Sequence, residues 1–108
     1  VVLIVKICAY LGVDWKSRLT LRVLRDLQFY MAHYYGLKVI VDTIEVPVGD
    51  SDNIELIPLV IIDGDVVSRG EVPSMSTLVD IIFDKLSLKI EKTILGFPVL
   101  EATIDDSN

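Results

Sequence analysis

The sequence predicts an α/β domain on a mixed four-stranded sheet, a βαβ unit followed by a β-hairpin and a helix, with a C-terminal extension. Three observations predict it. Two β-branched runs, residues 1–9 and 37–46, flank a segment whose apolar residues recur at helical spacing. An Asp63-Gly64 pair sits between two further apolar runs, which is the strongest short-range hairpin signal. A second helical stripe begins behind Pro73-Ser74.

Residues 1–9 are almost continuously apolar, with Lys6 the one interruption. A run without alternation belongs to a strand covered on both faces. No basic region precedes this run and no small-residue cleavage site follows it, so it reads as a strand and not as a secretory signal. Its length, like that of the run at 57–62, falls far short of the ~20 residues a membrane-spanning helix needs. Asp14 can cap a helix whose stripe is Leu19, Val23, Leu24, Leu27, Tyr30, Met31 and Tyr34, with Arg18, Arg22, Arg25, Asp26 and His33 on its other side. Gly36 stands where a left-handed residue ends a helix. Residues 37–46 then form a second strand, which a right-handed crossover makes parallel to the first.

Residues 47–55 are turn-rich and acidic and read as a loop. Residues 59–62 and 66–68 are the arms of the hairpin, and Asp63-Gly64 predicts a type I′ turn between them. Gly70 ends the hairpin, and the last helix buries Met75, Leu78, Val79, Ile82 and Leu86. The domain is thereby expected to span residues 1–88. In the extension, 89–108, residues 90–95 and 99–104 read as short strands on either side of Gly96-Phe97-Pro98, a strand pair or dimer arm with an acidic, solvated end.

A chain of 108 residues supports one hydrophobic core. Its apolar fraction of 52% and mean hydropathy of +0.55 are high for so small a domain, which must cover much surface with polar groups. Part of the apolar surface is therefore expected to be covered by a protein partner or a second copy. The net charge of −6, with ten basic residues that never gather into an aromatic-interleaved run, excludes a phosphate-backbone footprint and hence nucleic acid. The single cysteine, Cys8, allows no internal disulfide and points to a reducing compartment, the cytoplasm.

The element order, the stretch Ile57-Pro58-Leu59-Val60-Ile61-Ile62-Asp63-Gly64, and Gly70 with Pro73-Ser74 before the last helix resemble the thioredoxin and glutaredoxin superfamily. The likeness is to its small archaeal-type glutaredoxin-like domains. It covers residues 1–88 and implies a thioredoxin-like fold in which Pro58 is the cis-proline, presenting the backbone at Ile57 to an extended peptide or to glutathione. In the family a Cys-x-x-Cys motif opens the first helix. Here the stretch reads Asp14-Trp15-Lys16-Ser17-Arg18-Leu19, with either Trp15 and Arg18 or Lys16 and Leu19 at the cysteine positions. Dithiol exchange through that motif is excluded, because it needs a thiolate as the attacking group.

The remaining candidates are weighed residue by residue. Cys8 lies inside the apolar first strand and reads as a buried structural thiol; its functional alternative is a single-thiol redox sensor. His33 has no Cys or His at ligand spacing and reads as a surface residue near a helix end. Asp50, Asp52, Asn53 and Glu55 lack the central glycine and distant glutamate of a calcium loop. No metal, cofactor or catalytic constellation is expected. Lys16 and Arg18 could hold a carboxylate or phosphate at the helix N-terminus, or be solvated while Trp15 packs over the helix end.

These readings converge on a redox-inactive thioredoxin-fold binding or assembly module. Its groove comprises Trp15, Lys16, Arg18, Ile57, Pro58 and Gly70, open to a protein partner and, as a further possibility, to glutathione or another small anion. The alternative is a thiol- or glutathione-dependent enzyme using Cys8 or the proline groove. A third reading is a regulatory protein similar to the circadian-clock KaiB type, which the Asp63-Gly64 hairpin fits less well. The apolar stretch at 94–100 is expected to add a strand to a neighbour's sheet edge and so form a homodimer.

Overall fold

The structure, a computed structural model, describes residues 4–47 and 56–94. The elements are β1 (Ile4–Leu11), α1 (Trp15–Tyr35), β2 (Lys38–Glu45), β3 (Leu59–Ile62), β4 (Asp65–Arg69) and α2 (Met75–Ile94). They form an α/β domain with one mixed sheet in the order β2-β1-β3-β4. β1 and β2 are parallel, while β3 runs antiparallel to both β1 and β4.

Local chemistry accounts for most boundaries. The Asp14 carboxylate accepts from the Ser17 amide at 3.3 Å and starts α1. At the other end Gly36 takes φ 61°, and the amides of Gly36 and Leu37 donate to Ala32 and Met31, closing the last turn through a left-handed residue. A Cβ on Gly36 would meet nothing within 4 Å, so Gly36→Ala adds backbone strain and no clash. It should cost about 1 kcal/mol, seen as a lower urea midpoint; an unchanged midpoint would mean that the helix end does not depend on this conformation. Asp63 and Gly64 both have positive φ, 48° and 88°, as a type I′ turn requires. Asp63 also exchanges hydrogen bonds with the backbone of Lys6, tying the turn to β1.

α2 is capped by Ser74, whose hydroxyl accepts from the Thr77 amide at 3.2 Å. It continues to Ile94, which corrects the strand expected over residues 90–95. Leu86, Ile90 and Ile94 keep a spacing of four, and no glycine or proline interrupts 75–94; helical periodicity thus outweighs the local β-branched content. The helix passes through residue 88 without a break. The strand expected at 99–104, the acidic end, and the calcium-loop fragment at 50–55 lie outside the described residues. No described helix is long and apolar enough to cross a membrane.

Both helices pack on one face of the sheet. Val5, Ile7, Ala9 and Leu11 of β1, Val39 of β2, and Val60 and Ile62 of β3 are buried against Leu24, Leu27 and Met31 of α1 and Leu78, Ile82 and Leu86 of α2. The buried line of α1 also includes Ser17 and Thr20, whereas Leu19 is 39% and Tyr34 65% exposed; the helix is rotated from the orientation its apolar stripe predicts. Thr20 tolerates burial because its hydroxyl donates to the Lys16 carbonyl at 2.8 Å.

β1 corrects another expectation. Its burial alternates, with Lys6 exposed and Ile4, Cys8 and Tyr10 half-buried on the face away from the helices. No described helix lies on that face. The apolar residues there read in sequence as a strand covered twice, because apolarity alone does not reveal what does the covering.

Candidate functional site

The turn before α1 and the Ile57-Pro58 stretch meet at one end of the sheet. The Ile57–Pro58 peptide bond is cis, and the Pro58 ring is fully buried. The Pro58 carbonyl accepts from the Gly70 amide at 2.8 Å. The Gly70 carbonyl in turn accepts from Lys16 Nζ at 3.4 Å. From the other side, Gly12 packs so closely on Ile57 that a Cβ on it would lie 2.8 Å from Ile57 Cδ1, so a side chain there would push the end of Ile57 aside.

A small polar network shapes this end of α1. Ser17 Oγ accepts from the Gly12 amide at 2.8 Å and donates to Asp14 Oδ1 at 2.7 Å. Ser17 is only 1% exposed, so its hydroxyl joins the turn to the helix from inside. The Asp14 carboxyl is held below its ordinary 3.8, chiefly by the Ser17 hydroxyl, against an opposing effect of desolvation, with backbone amides adding to the lowering. The positive end of α1 therefore already faces a carboxylate from the chain itself, which repels a second anion.

The six residues singled out from the sequence separate in space. Lys16, Ile57, Pro58 and Gly70 are brought together as described. Trp15 stands outward at 67% exposure, with the Lys16 ammonium 5.9 Å from its ring centre. Arg18 is exposed and its Nε donates to the Val13 carbonyl at 3.4 Å, not toward Gly70. Cys8 is half-buried on the sheet face away from the helices, so the only sulfur able to act as a thiol is on the opposite face from α1. His33 stacks on Phe29 at 5.4 Å, and among the described residues no cluster of potential ligands could hold a metal.

Two features escape the sequence reading. Ser17 carries no signal of its own, since a serine three residues into a helix is ordinary until its burial is known. The second is a cleft of about 400 Å³ lined by Tyr10, Ile44, Pro47, Leu56, Ile57 and Leu59, adjoining the Ile57-Pro58 turn on the open side of the sheet. Its signal was the register in which Tyr10 lies beside both Ile44 and Leu59, which appears only once the strands are paired.

What fold and site define is an α/β domain in which a self-capped helix end is packed on a proline turn, with no thiol between them. No protein-family model matches the chain, and no curated protein or solved structure matches it.

Proposed function

We propose that this chain is a thioredoxin-like module without dithiol chemistry, which holds an extended, apolar segment of a protein partner at the Ile57-Pro58 turn. The observation that carries this reading is the convergence of Gly12 and Lys16 on Ile57, Pro58 and Gly70. A dithiol enzyme of that family would need its attacking sulfur at this place, and neither alignment of the chain, Trp15 with Arg18 or Lys16 with Leu19, supplies one. The strand order β2-β1-β3-β4 and the proline directly before the hairpin support the likeness. The adjoining apolar cleft supplies surface for a partner side chain, and exposed Trp15 is the kind of residue that anchors protein contacts.

Two measurements test it. In an insulin disulfide-reduction assay with dithiothreitol as reductant, the chain should not raise the rate above background; turnover would refute the proposal. Glutathione or inorganic phosphate titrated into the chain should leave the Trp15 indole resonance unmoved, since Asp14 already occupies the helix end. A saturable shift would favour a glutathione- or anion-dependent activity in its place.

A further inference from the structure

The face of α1 turned away from the sheet changes character along its length. Arg18, Arg22, Arg25, Asp26, Phe29 and His33 are all exposed there, opposite the buried line from Ser17 to Met31. From Arg18 to Arg25 the face is basic. Among the described residues no carboxylate pairs with these arginines: Arg18 donates to the Val13 carbonyl and Arg25 to the Gln28 side-chain oxygen. The last two turns are aromatic. Phe29 is 68% exposed, His33 stacks on it, and Tyr34 meets His33 edge-on at 4.8 Å. In a chain of net charge −6, such a stripe attracts the chain's own acidic segments. We propose that residues 95–108 fold back within the same chain along this face, their apolar part on the aromatic turns and their acidic end on Arg25 and Arg22. This contact stops short of the groove at Ile57-Pro58, and neither proposal depends on the other.

The order of residues favours this occupant. α1 and α2 run side by side in the same direction, and Tyr35 at the end of α1 packs on Phe83 of α2 with ring centres 5.0 Å apart. From Phe83 the helix continues to Ile94, about 16 Å further at 1.5 Å per residue. A segment that leaves it and returns to the domain therefore meets the aromatic end of α1 before the basic part. The sequence has the same order: Phe97, Val99, Leu100 and Ile104 precede Asp105-Asp106, and Gly96-Phe97-Pro98 is a turn signal at the point of reversal.

Reach agrees as well. Measured back from Ile94 along the helices, His33 lies at about 19 Å, Phe29 at about 25 Å, Arg25 at about 31 Å and Arg22 at about 36 Å. In an extended chain rising about 3.3 Å per residue, Glu101 lies about 23 Å from Ile94, Ile104 about 33 Å, and Asp105 and Asp106 about 36 and 40 Å. Glu101 thus comes level with His33, Ile104 covers Phe29, and the aspartates meet Arg25 and Arg22. The long arginine side chains make up what the turn and the sideways step of about 8–10 Å between helices consume. A tethered segment acts at high local concentration, so these few contacts suffice, and carboxylate–guanidinium pairs fix its register.

Asp105→Lys with Asp106→Lys, changes confined to residues beyond α2, should move the amide resonances of residues 22–33 in the full chain and leave those of β1, β3 and β4 in place. A nitroxide on Ile104→Cys, in a Cys8→Ala chain, should broaden the amides of residues 25–34. The broadening should be lost in the Asp105→Lys, Asp106→Lys variant and return when Arg22→Glu and Arg25→Glu are added. Arg69→Glu, an equal change of charge away from α1, should leave it as it is. Unmoved α1 amides in the charge variant overturn the proposal. So does broadening that is absent or falls on the open face of the sheet. Broadening of α1 that appears when the nitroxide is carried only by a second, isotopically silent copy also overturns it, since the contact then joins two chains.

Discussion

Leu27→Ala should lower the stability of the domain by about 3 kcal/mol, a large part of the 5–15 kcal/mol typical of a whole domain. Leu27 has no exposed surface and lies in the middle of the buried line of α1, between Leu24 and Met31, in the cluster that also contains Leu78 and Ile82 of α2. Removing its branched end leaves a void that two helices and a sheet cannot all close upon, so the loss combines transfer and cavity terms. The matched control is Leu19→Ala on the same helix, at a residue 39% exposed, which should cost under about 1 kcal/mol. Urea unfolding of both variants reads the difference. Equal losses would mean that α1 does not present the face described, because only its rotation separates the two leucines.

The second large effect is expected at the helix start. Ser17→Ala removes the acceptor of the Gly12 amide and the donor to Asp14, leaving the Gly12 amide without its partner beside a side chain 1% exposed; the cost should be about 2 kcal/mol. Asp14→Ala, the loss of a cap, should cost about 1 kcal/mol. The double variant should cost clearly less than the sum, since both changes break the same hydrogen bond. Acid should act through the same group. With its folded value lowered, Asp14 contributes stability that is fully present above the ordinary 3.8 and is lost as pH falls below that value through the lowered one. Asp14→Asn should flatten that part of the stability profile. Urea midpoints recorded between about pH 5 and about pH 2 would show it, and an identical acid slope in both chains would remove Asp14 from the account.

How much of this was legible in the sequence depended on whether a residue acts through its own backbone or through distant neighbours. Asp14, Gly36 and the Asp63-Gly64 turn impose local geometry, and each stands in the structure where its chemistry places it. The rotation of α1 was not legible, because Leu19 and Leu27 are equally apolar and only packing against the sheet tells them apart. The α2 terminus was misread because β-branched residues near 90–95 resemble a strand when their spacing of four is overlooked. At the site, Lys16, Ile57, Pro58 and Gly70 were nameable in advance as a group. Ser17 and the cleft by Tyr10 were not, since both arise from contacts between segments far apart in the chain.

The course of α2 carries a practical consequence. Lys85 pairs with Asp65 at the hairpin end of the sheet, and the helix then runs on to Ile94, about 13 Å further at 1.5 Å per residue. Trp15 and Pro58 sit at the other pole. A reporter fused directly after Ile94 therefore starts out at the pole opposite the tryptophan.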